Sequence, residues 1–156
     1  MKTLLTTLFV IAAAAGIALA ADKPDFSGDW KLNVEKSVFP VPDFAPSSMT
    51  RKIDHKDPDL SVNESRTGAQ GDMNTMMKYS TDGKETTNSL AGNDVKSKAA
   101  WDGKTLVITS AANFGGADVK FTQKWELSDD GKTLTDNTSF SAPQGDFAMT
   151  FVLVKQ

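Results

Sequence analysis

The chain has 156 residues, a formal net charge of -3 and interspersed acidic and basic side chains, so nothing in its charge pattern points to nucleic acid or an anionic membrane surface as partner. It contains no cysteine. Disulfides, a thiolate metal site and a cysteine-linked lipid anchor are thereby excluded, and packing and strand pairing alone must hold the fold.

The chain opens with Lys2, an almost wholly apolar run over 4–19 and the small-x-small pattern Ala18-Leu19-Ala20, the composition of an export signal cleaved before Ala21. A membrane-spanning helix is the competing reading, but the run is short and the polar Ala21-Asp22-Lys23-Pro24 follows at once. Residues 1–20 are therefore expected to be a signal peptide and the product to be periplasmic or secreted. Subtracting 20 from 156 leaves 136 residues, one domain over 21–156, with Lys2 removed and the net charge at -4.

Past Ala21, β-branched and aromatic residues alternate with polar ones almost to the end, which predicts an all-β chain of ten strands. They fall at about 26–33, 48–55, 60–66, 73–80, 85–90, 94–101, 105–111, 118–127, 133–140 and 147–154. In the first, Phe26, Gly28, Trp30 and Leu32 share one face and Ser27, Asp29 and Lys31 the other. Glycine beside a large aromatic leaves room for a close crossing at the floor of a small barrel. Short connections make successive strands antiparallel neighbours in an up-and-down meander.

Asp82-Gly83-Lys84, Asp102-Gly103-Lys104 and Asp130-Gly131-Lys132 carry the composition of two-residue type I′ hairpins. Taking Asp-Gly as each loop sets Tyr79 opposite Thr86, Ala99 opposite Leu106, and Leu127, Trp125 and Phe121 opposite Leu134, Asp136 and Phe140. The hairpin at 56–59 sets Ile53 opposite Val62 and Arg51 opposite Glu64. In each case the apolar sets of both strands land on one face.

Alternate connections of a meander emerge at opposite ends. The end opposite these turns is expected to carry longer Gly- and Pro-rich loops at 34–47, 67–72, 91–94, 113–117 and 142–146, where binding would reside. Its apolar residues Phe39, Val41, Phe44 and Phe114 are rim candidates for a ligand; the alternative is a hydrophobic lid with no guest. The inward face grades from Tyr79, Trp101, Leu106, Leu127 and Leu134 at the tight-turn end to Arg51, Glu64, Arg66, Thr75, Asn88, Ser97, Ser110, Gln123 and Thr138 near the loops. A filled sandwich would not hold so many polar groups, whereas a partly wet cavity would.

The sole histidine, His55, and the absence of cysteine leave no nucleophile and base pair of the usual kinds, and no phosphate loop, zinc spacing or calcium loop is present. Arg51 and Glu64 read as an ion pair across a hairpin. That leaves Arg66 as the unpaired inward cation nearest the mouth, suited to an anionic head group. Met73, Met76 and Met77 raise Cu(I) binding, but strand alternation puts Met76 on the opposite face from the other two, and gap-filling is the ordinary role of methionine.

The segment Phe26-Ser27-Gly28-Asp29-Trp30-Lys31-Leu32, with Gly-x-Trp early in the chain, resembles the first strand of the calycin barrels, the lipocalins and fatty-acid-binding proteins. Ten strands with a long insertion after the first are more similar to the fatty-acid-binding branch, and the chain as a whole resembles secreted bacterial lipocalin-like proteins. The resemblance implies a barrel and small apolar ligands. Three departures matter. The Arg-x-Tyr with which fatty-acid-binding proteins read a carboxylate is replaced by Phe151-Val152-Leu153, their helical lid by Phe39-Pro40-Val41-Pro42, and the arginine that stacks on the signature tryptophan is missing from the last strands.

The expected function is accordingly an extracytoplasmic, non-enzymatic carrier of a small, largely apolar molecule, with no cofactor and no metal. Its site residues would be Phe39, Val41, Phe44, Phe114, Arg66, Arg51 and Gln123, with Phe26, Gly28 and Trp30 as the structural signature. The alternative is a protein-binding module, an inhibitor or envelope assembly factor anchored by Phe39, Phe44 and Phe114.

Overall fold

The computed structural model describes residues 23–69 and 71–156; the expected signal peptide lies outside them. Ten strands follow one another: β1 (Gly28–Leu32), β2 (Pro46–Lys56), β3 (Asp59–Gly68), β4 (Gly71–Ser80), β5 (Asp82–Leu90), β6 (Asn93–Asp102), β7 (Thr105–Phe114), β8 (Ala117–Leu127), β9 (Thr133–Ala142) and β10 (Gly145–Lys155). They form one antiparallel sheet in the order β4-β3-β2-β1-β10-β9-β8-β7-β6-β5. Pairing of β1 with β10 joins the first strand to the last, so the sheet curls into an up-and-down barrel with an unladdered seam between β4 and β5.

Alternation sets most of the register. Arg51 pairs with Glu64 and Ile53 with Val62, and across β8 and β9 Trp125 meets Asp136 and Phe121 meets Phe140, as the hydrophobic pattern requires. The β6–β7 hairpin departs from expectation by two residues. Ala99 faces Ile108 and Trp101 faces Leu106, because Asp102 stays in the ladder opposite Thr105 and the turn is Gly103-Lys104. A slip of two leaves every side chain on its own face, so the apolar pattern could not distinguish the two registers. The expected hairpin at 82–84 does not form. Those residues begin β5, Tyr79 has no ladder partner on that side, and the Asn88 side chain bridges the seam instead. Its amide nitrogen donates to the Lys78 carbonyl at 2.9 Å and its amide oxygen accepts from the Lys78 N–H at 2.7 Å.

The expected clustering of long loops at one end holds only for 33–45, which contains two single 3-10 turns, Val34–Lys36 and Pro42–Phe44. At 91–92, 115–116 and 143–144 the strands run to within two residues of each other. Gly92, Gly115 and Gly116 take positive φ there, the backbone that tight turns need. Residues such as Phe114 that read as loop are thus the last rungs of strands.

The opposite end is closed by packed aromatics. Phe26 is fully buried, stacks on Trp101 at 5.8 Å and meets Trp125 edge-on at 5.6 Å. The Trp30 indole N–H, itself buried, donates to the Phe26 carbonyl at 2.9 Å. Gly28 has φ +132°, and a Cβ on it would stand 2.7 Å from Cε of Lys155. The Lys155 ammonium lies 5.3 Å from the Trp30 ring centre. A cation does therefore cover the signature tryptophan, a lysine from β10 in place of an arginine, and Gly28 makes room for its stem.

Candidate binding cavity

Toward the other end the barrel interior opens into a cavity of about 260 Å³. Trp30 does not line it, and every strand from β2 to β5 and from β7 to β10 contributes lining residues.

Its floor is a charged network built by cross-strand register. Arg51 on β2 is 4% exposed, and its Nε donates to Oε2 of its partner Glu64 on β3 at 2.6 Å. Its Nη1 lies 2.8 Å from Oδ2 of the fully buried Asp136 on β9. That contact is off the N–H direction and so acts by charge more than by hydrogen bonding. Asp136 also accepts from Gln123 Nε2 at 3.2 Å and from the Thr138 hydroxyl at 2.8 Å. The guanidinium is sandwiched 5.3 Å from the Trp125 ring centre and 5.6 Å from that of Phe151.

Burial alone would drive the Arg51 proton off, but Glu64 and Asp136 outweigh it and hold the guanidinium firmly charged. Burial likewise pushes the Glu64 carboxyl up, yet Arg51 and Arg66 overcome it and leave the group below its ordinary value. The Tyr79 hydroxyl, on the same floor, is raised by burial.

Arg66 corrects an expectation. It is not the unpaired cation of the mouth: its Nε donates to Glu64 Oε1 at 2.9 Å and its Nη2 lies 2.6 Å from the same oxygen. Glu64 is bifunctional because Arg51, Glu64 and Arg66 all alternate onto one face. Reading Arg51–Glu64 as an isolated pair overlooks both Arg66 and Asp136. The signal for Asp136 in the sequence is its place between the inward Leu134 and Thr138.

Above the floor the wall is apolar. Six of the nine phenylalanines in the sequence line the cavity: Phe44, Phe114, Phe121, Phe140, Phe147 and Phe151. Four of them form a continuous stack. Phe44 to Phe147 is 5.6 Å at 12°, Phe147 to Phe140 is 4.7 Å at 10°, and Phe140 to Phe121 is 5.8 Å at 28°. Cross-strand pairing produces it, since Phe121 faces Phe140 and Phe140 faces Phe147 across β8, β9 and β10. Met73, Met77, Met149 and Thr75 line it as well, with Val62, Leu90 and Val119.

Of the candidates named from sequence, Arg51, Arg66, Gln123, Phe44 and Phe114 are brought together on this cavity. Phe39 and Val41 do not line it; Phe39 packs edge-on against Phe151 at 5.2 Å and serves the core. Met76 points outward and is 57% exposed, away from Met73 and Met77. Among the described residues no group of three or more His, Asp or Glu side chains is placed to hold a metal. Phe147, Phe151 and Met149 escape a sequence reading that treats β10 only as the place of a missing Arg-x-Tyr.

No protein-family model matches the chain, and no curated protein matches it by sequence. Solved structures do. The zebrafish ileal bile acid-binding protein, in complex with cholic acid, superposes with a TM-score of 0.60 at 19% identity over 84% of this chain and 98% of that one. A secretory abundant heat soluble protein of Ramazzottius varieornatus gives 0.57 at 12% identity over 83% and 94%. A point mutant of the fluorescent protein UnaG gives 0.54 at 18% identity over 84% and 96%. These likenesses concern the fold, and they cover the barrel from end to end.

Proposed function

Taking as premise that the chain has the fold of the calycin barrels, in the ten-stranded form of the bile acid-binding protein, we propose that it binds and carries a small, largely apolar molecule without chemically changing it. The observation that carries this reading is the cavity of about 260 Å³, walled by phenylalanine and methionine and floored by a charge-paired network. Ligand pockets have this character, being mostly apolar and preformed with few polar groups, and at about 260 Å³ this one lies just below their usual range of about 300–1,000 Å³, which suits a small guest. The bile acid-binding neighbour holds cholic acid, which supports a small-molecule cargo of some kind here. Location outside the cytoplasm is part of the proposal and rests on the apolar run 4–19 and Ala18-Leu19-Ala20.

The test is titration with a neutral apolar fluorophore, N-phenyl-1-naphthylamine, of the parent and of Thr75→Phe, which fills the cavity from β4. The parent should bind one equivalent with a blue-shifted emission. The variant should bind at least tenfold more weakly, about 1.4 kcal/mol, at unchanged fold. Absence of binding by the parent, or equal binding by the variant, would remove the interior from consideration. A protein-binding rim would then be the better reading, supported by the exposure of Val34, Val38 and Phe44 on 33–45.

A further inference from the structure

Resting on the binding reading above, we infer that the ligand is an uncharged, flat, ring-bearing molecule and not a carboxylate with a flexible chain. Three observations converge on this.

The first is charge. The charged groups of the floor are Arg51, Arg66, Glu64 and Asp136, two cations and two anions in mutual contact. Both guanidinium groups are already committed to carboxylates. An anionic head group entering the floor loses its hydration and meets no uncompensated positive charge, so its transfer is opposed. The faces of Trp125 and Phe151 that would attract a cationic ligand are taken by Arg51.

The second is shape. The rings of Phe44, Phe147, Phe140 and Phe121 follow one another face over face, with centres 4.7–5.8 Å apart and neighbours within 28° of parallel, so the cavity meets a row of ring edges, against which the flat face of a ring-bearing guest packs in the favoured edge-to-face arrangement. A flexible chain gains less from such a row and loses more rotational freedom on it. Met77 and Met149, with polarisable thioethers, adapt to the remaining outline of the guest.

The third is size. An apolar cavity of about 150 Å³ accepts benzene. The present one, at about 260 Å³, accommodates a molecule of two rings with a small polar substituent.

Three ligands of matched size separate these terms: 2-acetylnaphthalene, its anionic counterpart 2-naphthoate, and decanoate, each titrated by calorimetry at pH 7.5. The neutral ketone should bind at least tenfold tighter than either anion. Glu64→Gln removes one negative charge from the floor and should narrow the gap between ketone and naphthoate at least fivefold. Phe147→Leu should weaken the ketone at least fivefold and leave decanoate unchanged; it is judged independently should Glu64→Gln fail to fold. Decanoate or naphthoate binding as tightly as the ketone would overturn this inference while leaving the carrier reading intact. Failure of all three to bind would overturn both.

Discussion

Arg51 is the group whose removal tests the floor most severely. It is 4% exposed, and its partners Glu64 and Asp136 are 8% and 0% exposed as side chains, so Arg51→Met leaves carboxylates buried with their principal cation gone. Breaking a buried ion pair from one side costs about 3–5 kcal/mol, because the orphaned charge retains its desolvation penalty. Methionine keeps most of the packing against Trp125 and Phe151, and Arg66 still reaches Glu64, so about 4 kcal/mol is expected from that range. With a urea slope of about 2 kcal/mol/M, the midpoint followed by tryptophan fluorescence should fall by about 2 M. The pH dependence adds a second check. Glu64 sits below its ordinary value of 4.5 in the folded parent, so its contribution is complete above that pH and is lost as pH falls through the lower folded value. The deficit of the variant should therefore shrink below about pH 4.5. A loss under about 1 kcal/mol at pH 7, the size of an ordinary surface change, would mean that the carboxylates reach water and that the floor is not closed.

Gly28→Ala should destabilise by about 2–3 kcal/mol, combining an unfavourable positive φ with displacement of Lys155 from Trp30. In a Lys155→Ala background the loss should drop by about 1 kcal/mol, the share of the cation–ring contact, and an undiminished loss in urea melts would assign the whole effect to backbone strain. Asn88→Ala removes two hydrogen bonds across the β4–β5 seam and should cost about 1–2 kcal/mol, with faster hydrogen exchange at the Lys78 amide; unchanged exchange there would show that the seam is held by other groups. His55 is held below its ordinary value of 6.5, first by burial, and its Nδ1 accepts from the Phe26 N–H at 3.3 Å, which requires the neutral ring. The unfolded chain therefore binds the proton first, so stability is full above about pH 6.5 and declines as pH falls below it. His55→Gln should flatten that decline below about pH 6.5, and an unchanged slope would assign it to other groups.

The ten strands were legible because β-branched and aromatic residues alternate without interruption, and the β2–β3 and β8–β9 registers followed from pairing apolar sets across short turns. What stayed hidden was whatever alternation does not encode. A shift of two residues at β6–β7 preserves every face, and the open seam at β4–β5 depends on barrel closure, a property no pair of strands carries by itself. The polar residues of the inward face pointed to a cavity, and Arg51, Arg66 and Gln123 were placed on it by parity alone, but the expected grading toward a polar mouth fails: the polar groups form the floor, and Phe114, Phe140 and Phe147 line the loop end. The charge state of the floor was not legible. Asp136 faces Trp125 in the ladder, and only the curvature of the sheet brings its carboxylate across the interior to Arg51 on β2. The phenylalanine stack was hidden in the same way: Phe121 and Phe140 pair visibly in the sequence, but their continuation through Phe147 to Phe44 needs β10 and 33–45 folded against β9.

The central claim is that the guest sits inside the barrel against the phenylalanine wall. Isotope-filtered nuclear Overhauser spectra of the labelled protein loaded with unlabelled 2-acetylnaphthalene test it directly. Cross-peaks are expected from the naphthyl protons to the rings of Phe121, Phe140 and Phe147 and to the methyl groups of Met77 and Thr75. Cross-peaks confined to Val34, Val38 and the outer face of 33–45, with none to those interior groups, would contradict it.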